Sequence, residues 1–213
     1  MNSNRRNHWV QILYPLFAYY VLYYITDSIV LSYLGEKRGI LALLAASLVT
    51  LGPVYLFYKR APLVHAPLPD SRREWIMEGL YIAGIACLGL KINLIVMDMD
   101  LFAFSEGYER SSAILQGGGI LLRVLVLGGV VPLLEELLFR GVILGQLLLW
   151  LDRRQAILFS SVLFGILHFN VVQFLYAAVM GYLLGLLYEK TRHIWATWIA
   201  HGLCNLLVLF FIG

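Results

Sequence analysis

The chain has 213 residues, of which 61% are hydrophobic and 14% charged, with a net charge of +3 and a mean hydropathy of +0.79. Soluble domains run nearer half apolar and a quarter charged, so this composition excludes an ordinary soluble globule and places the chain in a membrane. Cys87 and Cys204 both fall inside apolar runs, which argues against a disulfide framework, and no stretch resembles a nucleic-acid-binding module.

A membrane helix needs about 20 apolar residues. The first apolar run, roughly Trp9 to Leu34, follows Arg5-Arg6 and is too long for a signal-peptide core, so it reads as a first span. Its tyrosines and Trp9 read as an interfacial belt, and Asp27 reads as a local capping or hydrogen-bonding group. A second span runs from about Gly39 to Tyr58 and stops at Lys59-Arg60. A linker with Pro62, Pro67 and Pro69 leads to Arg72-Arg73. The third span covers about Trp75 to Met97, with Lys91 able to reach outward along its own stem. The segment from Asp98 to Arg110 is an acidic loop.

The next apolar stretch, about Ala113 to Leu151, is almost twice as long as a bilayer core is thick. It is expected to tilt, break or lie partly on the surface, with Gly117-Gly118-Gly119, Gly128-Gly129 and Pro132 as break points. A short fifth span is expected over Gln155 to Asn170 and a sixth over Val172 to Tyr188. In the sixth, Gly181 and Gly185 are four apart, which allows close helix packing. The last span covers about Ile194 to Ile212. The expected fold is therefore all-α, a transmembrane helical bundle of about seven spans. With the N-terminus inside, ten Lys and Arg fall on the cytoplasmic side and three on the other.

Within the fourth stretch, Pro132-Leu133-Leu134-Glu135-Glu136-Leu137-Leu138-Phe139-Arg140-Gly141 sets two carboxylates and a guanidinium in an apolar run. Each charge at the centre of a membrane helix costs roughly 2.5–3.5 kcal/mol on insertion scales. On a helix, Glu136 and Arg140 share a face and can pair. Glu135 lies about 100° round and lacks a local partner, which makes it a candidate general base in a site where desolvation disfavours its charge. His168, four residues after Phe164, and His201, four before Asn205, are the other ionisable side chains within the apolar spans from Val130 onward, tyrosine and cysteine aside. Counting residues from the basic segments puts Glu135 about 24 Å, His168 about 21 Å and His201 about 14 Å deep, overlapping once tilt is allowed for.

Glu135-Glu136-x-x-x-Arg140, Phe164-x-x-x-His168 and His201-x-x-x-Asn205, in that order on successive spans, resemble the three motifs of the CAAX-protease and bacteriocin-processing family of intramembrane endopeptidases. The resemblance covers 113–213, and 1–112 carries no recognised motif. It implies that Glu135 activates a water with help from His168, that His201 and Asn205 hold the oxyanion, and that Glu136 and Arg140 orient Glu135. Phe164 reads as packing. Peptide hydrolysis needs a base and donors aimed at developing negative charge, which these residue types supply. Glu135, His168 and His201 are also a permissible zinc ligand set, though the His-Glu-x-x-His signature is absent; a zinc site and a metal-free glutamate site both stay open.

The implied partners are the lipid bilayer and a hydrophobic peptide or protein, lipidated (prenylated) or a membrane-associated leader or bacteriocin peptide. The short loops and small size of the chain point to a prokaryotic plasma membrane. Two rivals stand beside this reading: a non-catalytic immunity or regulatory scaffold of the same fold, and a small transporter using the buried acids as a proton relay. A cysteine mechanism on Cys204 lacks any group besides His201 to activate the thiol. A serine mechanism on Ser160 or Ser161 lacks a Gly-x-Ser-x-Gly turn.

Overall fold

A computed structural model describes residues 8–35, 38–62, 66–98 and 118–211. Every regular element among them is a helix. Helix α1 is His8–Leu34, α2 is Gly39–Arg60 and α3 is Arg72–Asp98. Helix α4, residues 120–147, alternates its winding: α over Ile120–Leu125, π over Val126–Val130, α over Val131–Glu136, π over Leu137–Leu144 and α over Gly145–Leu147. Helices α5, α6 and α7 are Arg153–Ile166, Val171–Thr191 and Ile194–Phe211.

The solvent for this fold is lipid. The outer faces of α1, α2 and α3 expose Leu13, Phe17, Ile29, Leu48, Leu56, Leu80 and Leu88, while Glu136, Arg140, Thr197 and His201 are buried. Four helices, α2, α3, α6 and α7, are long and apolar enough to cross a membrane by length and composition. That is fewer than the seven spans expected. Helix α1 has the length, but its six tyrosines make it less apolar. Helix α5, at 14 residues, is short of the roughly 20 a crossing takes.

Helix α4 is the hub. It packs against α1, α2, α5, α6 and α7, with further pairings of α1 on α2, α5 on α6 and α3 on both α6 and α7. Every residue from Glu136 to Leu147 is buried. The expected breaks at Gly128-Gly129 and Pro132 do not occur, although Gly118 (φ +76°) and Gly119 do precede the helix start. Helix α4 runs through Pro132 because its winding opens just before that residue. Val131 N–H bonds the carbonyl of Val126, five residues back. A proline has no N–H to give, so Leu127 O has neither Val131 nor Pro132 as donor. Asn205 Nδ2 on α7 donates to it at 3.0 Å, and Trp198 Nε1 donates to Gly129 O at 2.9 Å. A neighbouring side chain, Asn205, thus satisfies the carbonyl that the wider turn frees, and Trp198 adds a second tie from α7.

Capping fixes the ends that matter. Asp152 accepts from the backbone N–H groups of Arg154 and Gln155 at the start of α5, and Asn170 does the same for Val172 and Gln173 at the start of α6. Gly181 and Gly185 bring α6 against α5: a Cβ at Gly181 would lie 3.2 Å from Ser161 Cα, and one at Gly185 2.8 Å from Ile157 Cγ2. The linker is tied down by a buried pair, His193 Nδ1 to Glu78 Oε1 at 2.9 Å, with His193 Nε2 3.2 Å from Pro67 O. The acidic loop expected after Asp98 lies outside the described residues.

Candidate active site

The three motifs meet. Helix α4 presents Glu135, Glu136 and Arg140, α7 presents His201, and the turn between α5 and α6 presents His168. Glu136 and Arg140 pair as their spacing predicts, with Arg140 Nε 3.1 Å from Glu136 Oε2 and both side chains essentially without exposure. Arg140 Nη2 also donates to Gly181 O at 3.1 Å, and its guanidinium lies 5.0 Å from the Phe164 ring centroid. A buried ion pair is tolerated when further hydrogen bonds absorb its remaining polar atoms, and α6 supplies one through the carbonyl of Gly181.

Glu136 does more than hold Arg140. His201 Nδ1 donates to Glu136 Oε1 at 2.9 Å, and His201 Nε2 stands 3.6 Å from Glu135 Oε2. The imidazole therefore stands between the two adjacent carboxylates. Glu135 keeps a side-chain exposure of 14% where Glu136 has none. It is the more accessible carboxylate of the pair.

His168 departs from the expected position. Helix α5 ends at Ile166, and His168 sits in the turn, its backbone N–H bonded to Gly165 O. Its Nδ1 donates to Phe164 O at 3.0 Å, which leaves Nε2 as the nitrogen for chemistry. Phe164 packs edge-on to His168 at 5.2 Å, to His201 at 5.9 Å and to Phe139 at 4.9 Å. Packing is its role, and it spaces the two imidazoles. Asn205, as described above, spends one N–H on Leu127 O, and its second amide hydrogen is not engaged by that bond.

Sequence reasoning missed α1. Its tyrosines read as an interfacial belt, yet Tyr19 is buried in one cluster with Phe139 and Phe164, and Tyr23 packs against that cluster. Tyr24 Oη donates to Leu167 O at 3.0 Å, and Tyr20 and Tyr24 pack on Phe169. Phe169 has a positive φ of 51°, so the turn carrying His168 is clasped from α1. The available signal was the spacing: Tyr19 with Tyr23, and Tyr20 with Tyr24, are each four apart and share faces.

The candidate nucleophiles outside the motifs are engaged elsewhere. Ser160 Oγ donates to Phe139 O and Ser161 Oγ to Ile157 O. Cys204 Sγ lies 2.9 Å from Tyr176 Oη. Among the described residues no group of three or more His, Cys, Asp or Glu side chains gathers into a metal site. Each imidazole is held through Nδ1, His201 by a carboxylate and His168 by a carbonyl, an arrangement that keeps Nε2 for a proton or a metal alike.

A helical membrane bundle with carboxylates and imidazoles converging in its interior defines the class, an integral membrane protein with a polar site inside the bundle. Residues 117–207 match the family model described as type II CAAX prenyl endopeptidase Rce1-like. The chain is 33% identical over 136 residues to YdiL of Bacillus subtilis (strain 168), whose name reads "Putative membrane peptidase"; the match covers 63% of this chain and 54% of that protein. It is 28% identical over 145 residues to the UPF0177 protein YxdF of Lactococcus lactis subsp. lactis (strain IL1403), covering 65% of this chain and 80% of that protein. No solved structure matches significantly. Over residues 117–207 the chain is thus similar to type II CAAX prenyl endopeptidases, and it spans about half the length of YdiL.

Proposed function

We propose that the protein is an intramembrane endopeptidase that hydrolyses hydrophobic or lipidated peptides with a water activated by Glu135. The observation that carries this reading is the placement of His201 between Glu135 and Glu136. Glu136, held by Arg140, fixes the imidazole from behind, and a ring protonated on both nitrogens serves both carboxylates. Glu135 takes a proton from water, and the hydroxide attacks the scissile carbonyl carbon. The oxyanion that forms faces the His201 Nε2–H and the second N–H of Asn205. The proton carried by Glu135, with His168 Nε2 as its partner, passes to the leaving amine as the C–N bond breaks.

Placing all seven helices in or across the bilayer puts the basic end, with Lys59, Arg60, Arg72, Arg73, Arg153, Arg154, Lys190 and Arg192, on the cytoplasmic side, and the N-terminus with it. The host membrane in this reading is a prokaryotic plasma membrane. The test is cleavage, read by mass spectrometry, of prenylated and unmodified hydrophobic peptides by purified protein in lipid discs, beside the Glu135→Gln variant. Cutting by the wild type alone supports the reading. Equal cutting by both discards Glu135 as the base, and no cutting by either discards the peptidase.

A further inference from the structure

A cavity lies away from the candidate active site. It is a space of about 540 Å³ at the basic end of the bundle, bounded by Gln11 and Pro15 of α1, Phe57 and Arg60 of α2, and Val142 and Gln146 of α4. That volume falls in the range of ligand sites, roughly 300–1,000 Å³. Its walls are mainly apolar, and its polar groups are few and distinct. Arg60 is exposed and ends α2. Gln146 is only 7% exposed, and its Oε1 has no hydrogen-bond partner among the described residues. A buried amide oxygen without a donor is a vacancy that a bound molecule can fill.

The level of the cavity in the membrane is marked by aromatics. Trp9 meets Trp150 edge-on at 4.9 Å, His8 stacks on the same indole at 5.7 Å, and Lys59 lies over Tyr55 at 5.0 Å. Tryptophan and tyrosine beside lysine and arginine are the side chains of the headgroup layer. Basic clefts between helices at that level attract anionic lipid headgroups.

We propose that this cavity binds the headgroup of an anionic glycerophospholipid, its phosphate on Arg60 and a headgroup hydroxyl donating to Gln146 Oε1. Acyl methylenes then lie along Pro15, Phe57 and Val142. The chemistry is selective on two counts. Arg60 requires net negative charge, which phosphatidylcholine and phosphatidylethanolamine lack. Gln146 requires a donor, which phosphatidylmethanol lacks although it has the same charge as phosphatidylglycerol.

The experiment is native mass spectrometry of the purified full chain incubated in detergent with equimolar phosphatidylglycerol, phosphatidylmethanol, phosphatidylethanolamine and phosphatidylcholine of matched acyl chains. The expected order is phosphatidylglycerol first, then phosphatidylmethanol, with phosphatidylcholine least. Arg60→Gln is expected to weaken phosphatidylglycerol retention about tenfold, the loss of one charge-assisted bond. Gln146→Leu is expected to remove the preference for phosphatidylglycerol over phosphatidylmethanol. Equal retention of phosphatidylcholine overturns the proposal, as does undiminished phosphatidylglycerol in Arg60→Gln. Should Gln146→Leu fail to fold, the Arg60 variant, altered only at an exposed side chain, decides alone.

Discussion

Gly202 of α7 lies directly against the carbonyl of Gly128 in the first wide turn of α4, with no room for a Cβ at position 202. The two backbones touch. His201, the residue beside Gly202, reaches both carboxylates of α4 because of that contact.

A methyl group at position 202 should therefore act on the site from outside it. Gly202→Ala is expected to cost about 1–3 kcal/mol through overpacking and to lower activity by pulling His201 from Glu135. Gly129→Ala is the control, since a Cβ there meets nothing within 4 Å. Thermal denaturation in detergent, run beside cleavage assays, checks both. Equal behaviour of the two variants would remove the backbone contact as the cause.

Glu135 and Glu136 are neighbours in sequence with opposite expected phenotypes. Glu135→Gln should leave stability near wild type and cut the rate by about a hundredfold to ten-thousandfold, the usual contribution of a general base. Glu136→Gln should destabilise by about 3–5 kcal/mol, because Arg140 is left buried without its charge partner. The melting temperatures of the two variants separate the roles.

Tyr24→Phe removes only the hydroxyl that donates to Leu167 O. One such bond is worth about 1 kcal/mol, or roughly fivefold in rate if it acts through the placement of His168. The expected result is a drop in kcat with KM held and the melting temperature lowered by no more than a few degrees. A change in KM alone would assign Tyr24 to substrate contact instead.

The Glu78–His193 pair predicts a local effect away from the site. Glu78→Ala should free the stretch around Pro67 and speed its cutting by an added protease, with little change at bonds in α4 or α7. Unchanged cutting at 66–70 would show that other contacts hold the linker.

What the sequence made legible was set by charge in an apolar background. Glu135, Glu136, Arg140, His168 and His201 stand out because each is expensive there, and spacing alone paired Glu136 with Arg140. The second partner of Glu136 was not legible, since His201 is 65 residues away and tertiary packing chose it over Glu135. The continuity of α4 through Pro132 was hidden for a related reason. It depends on Asn205 and Trp198 of another helix, and no local rule for proline contains them. The tyrosines of α1 were misread because the same residue type serves an interface and a buried wall.

The wide turns of α4 make chain length itself a coded quantity. Each π turn accommodates more backbone per revolution than the α-helix on either side of it. A deletion of one residue between 137 and 144 would remove no charged group if it spared Arg140. It would still let the helix tighten and rotate Val142 and Gln146 relative to Glu135 and Glu136. Two sequences could then carry the same three motifs and differ in whether the two ends of α4 face their proper neighbours. The spacing between the acidic pair and Gln146 is thus as much a specification of this molecule as the identity of either.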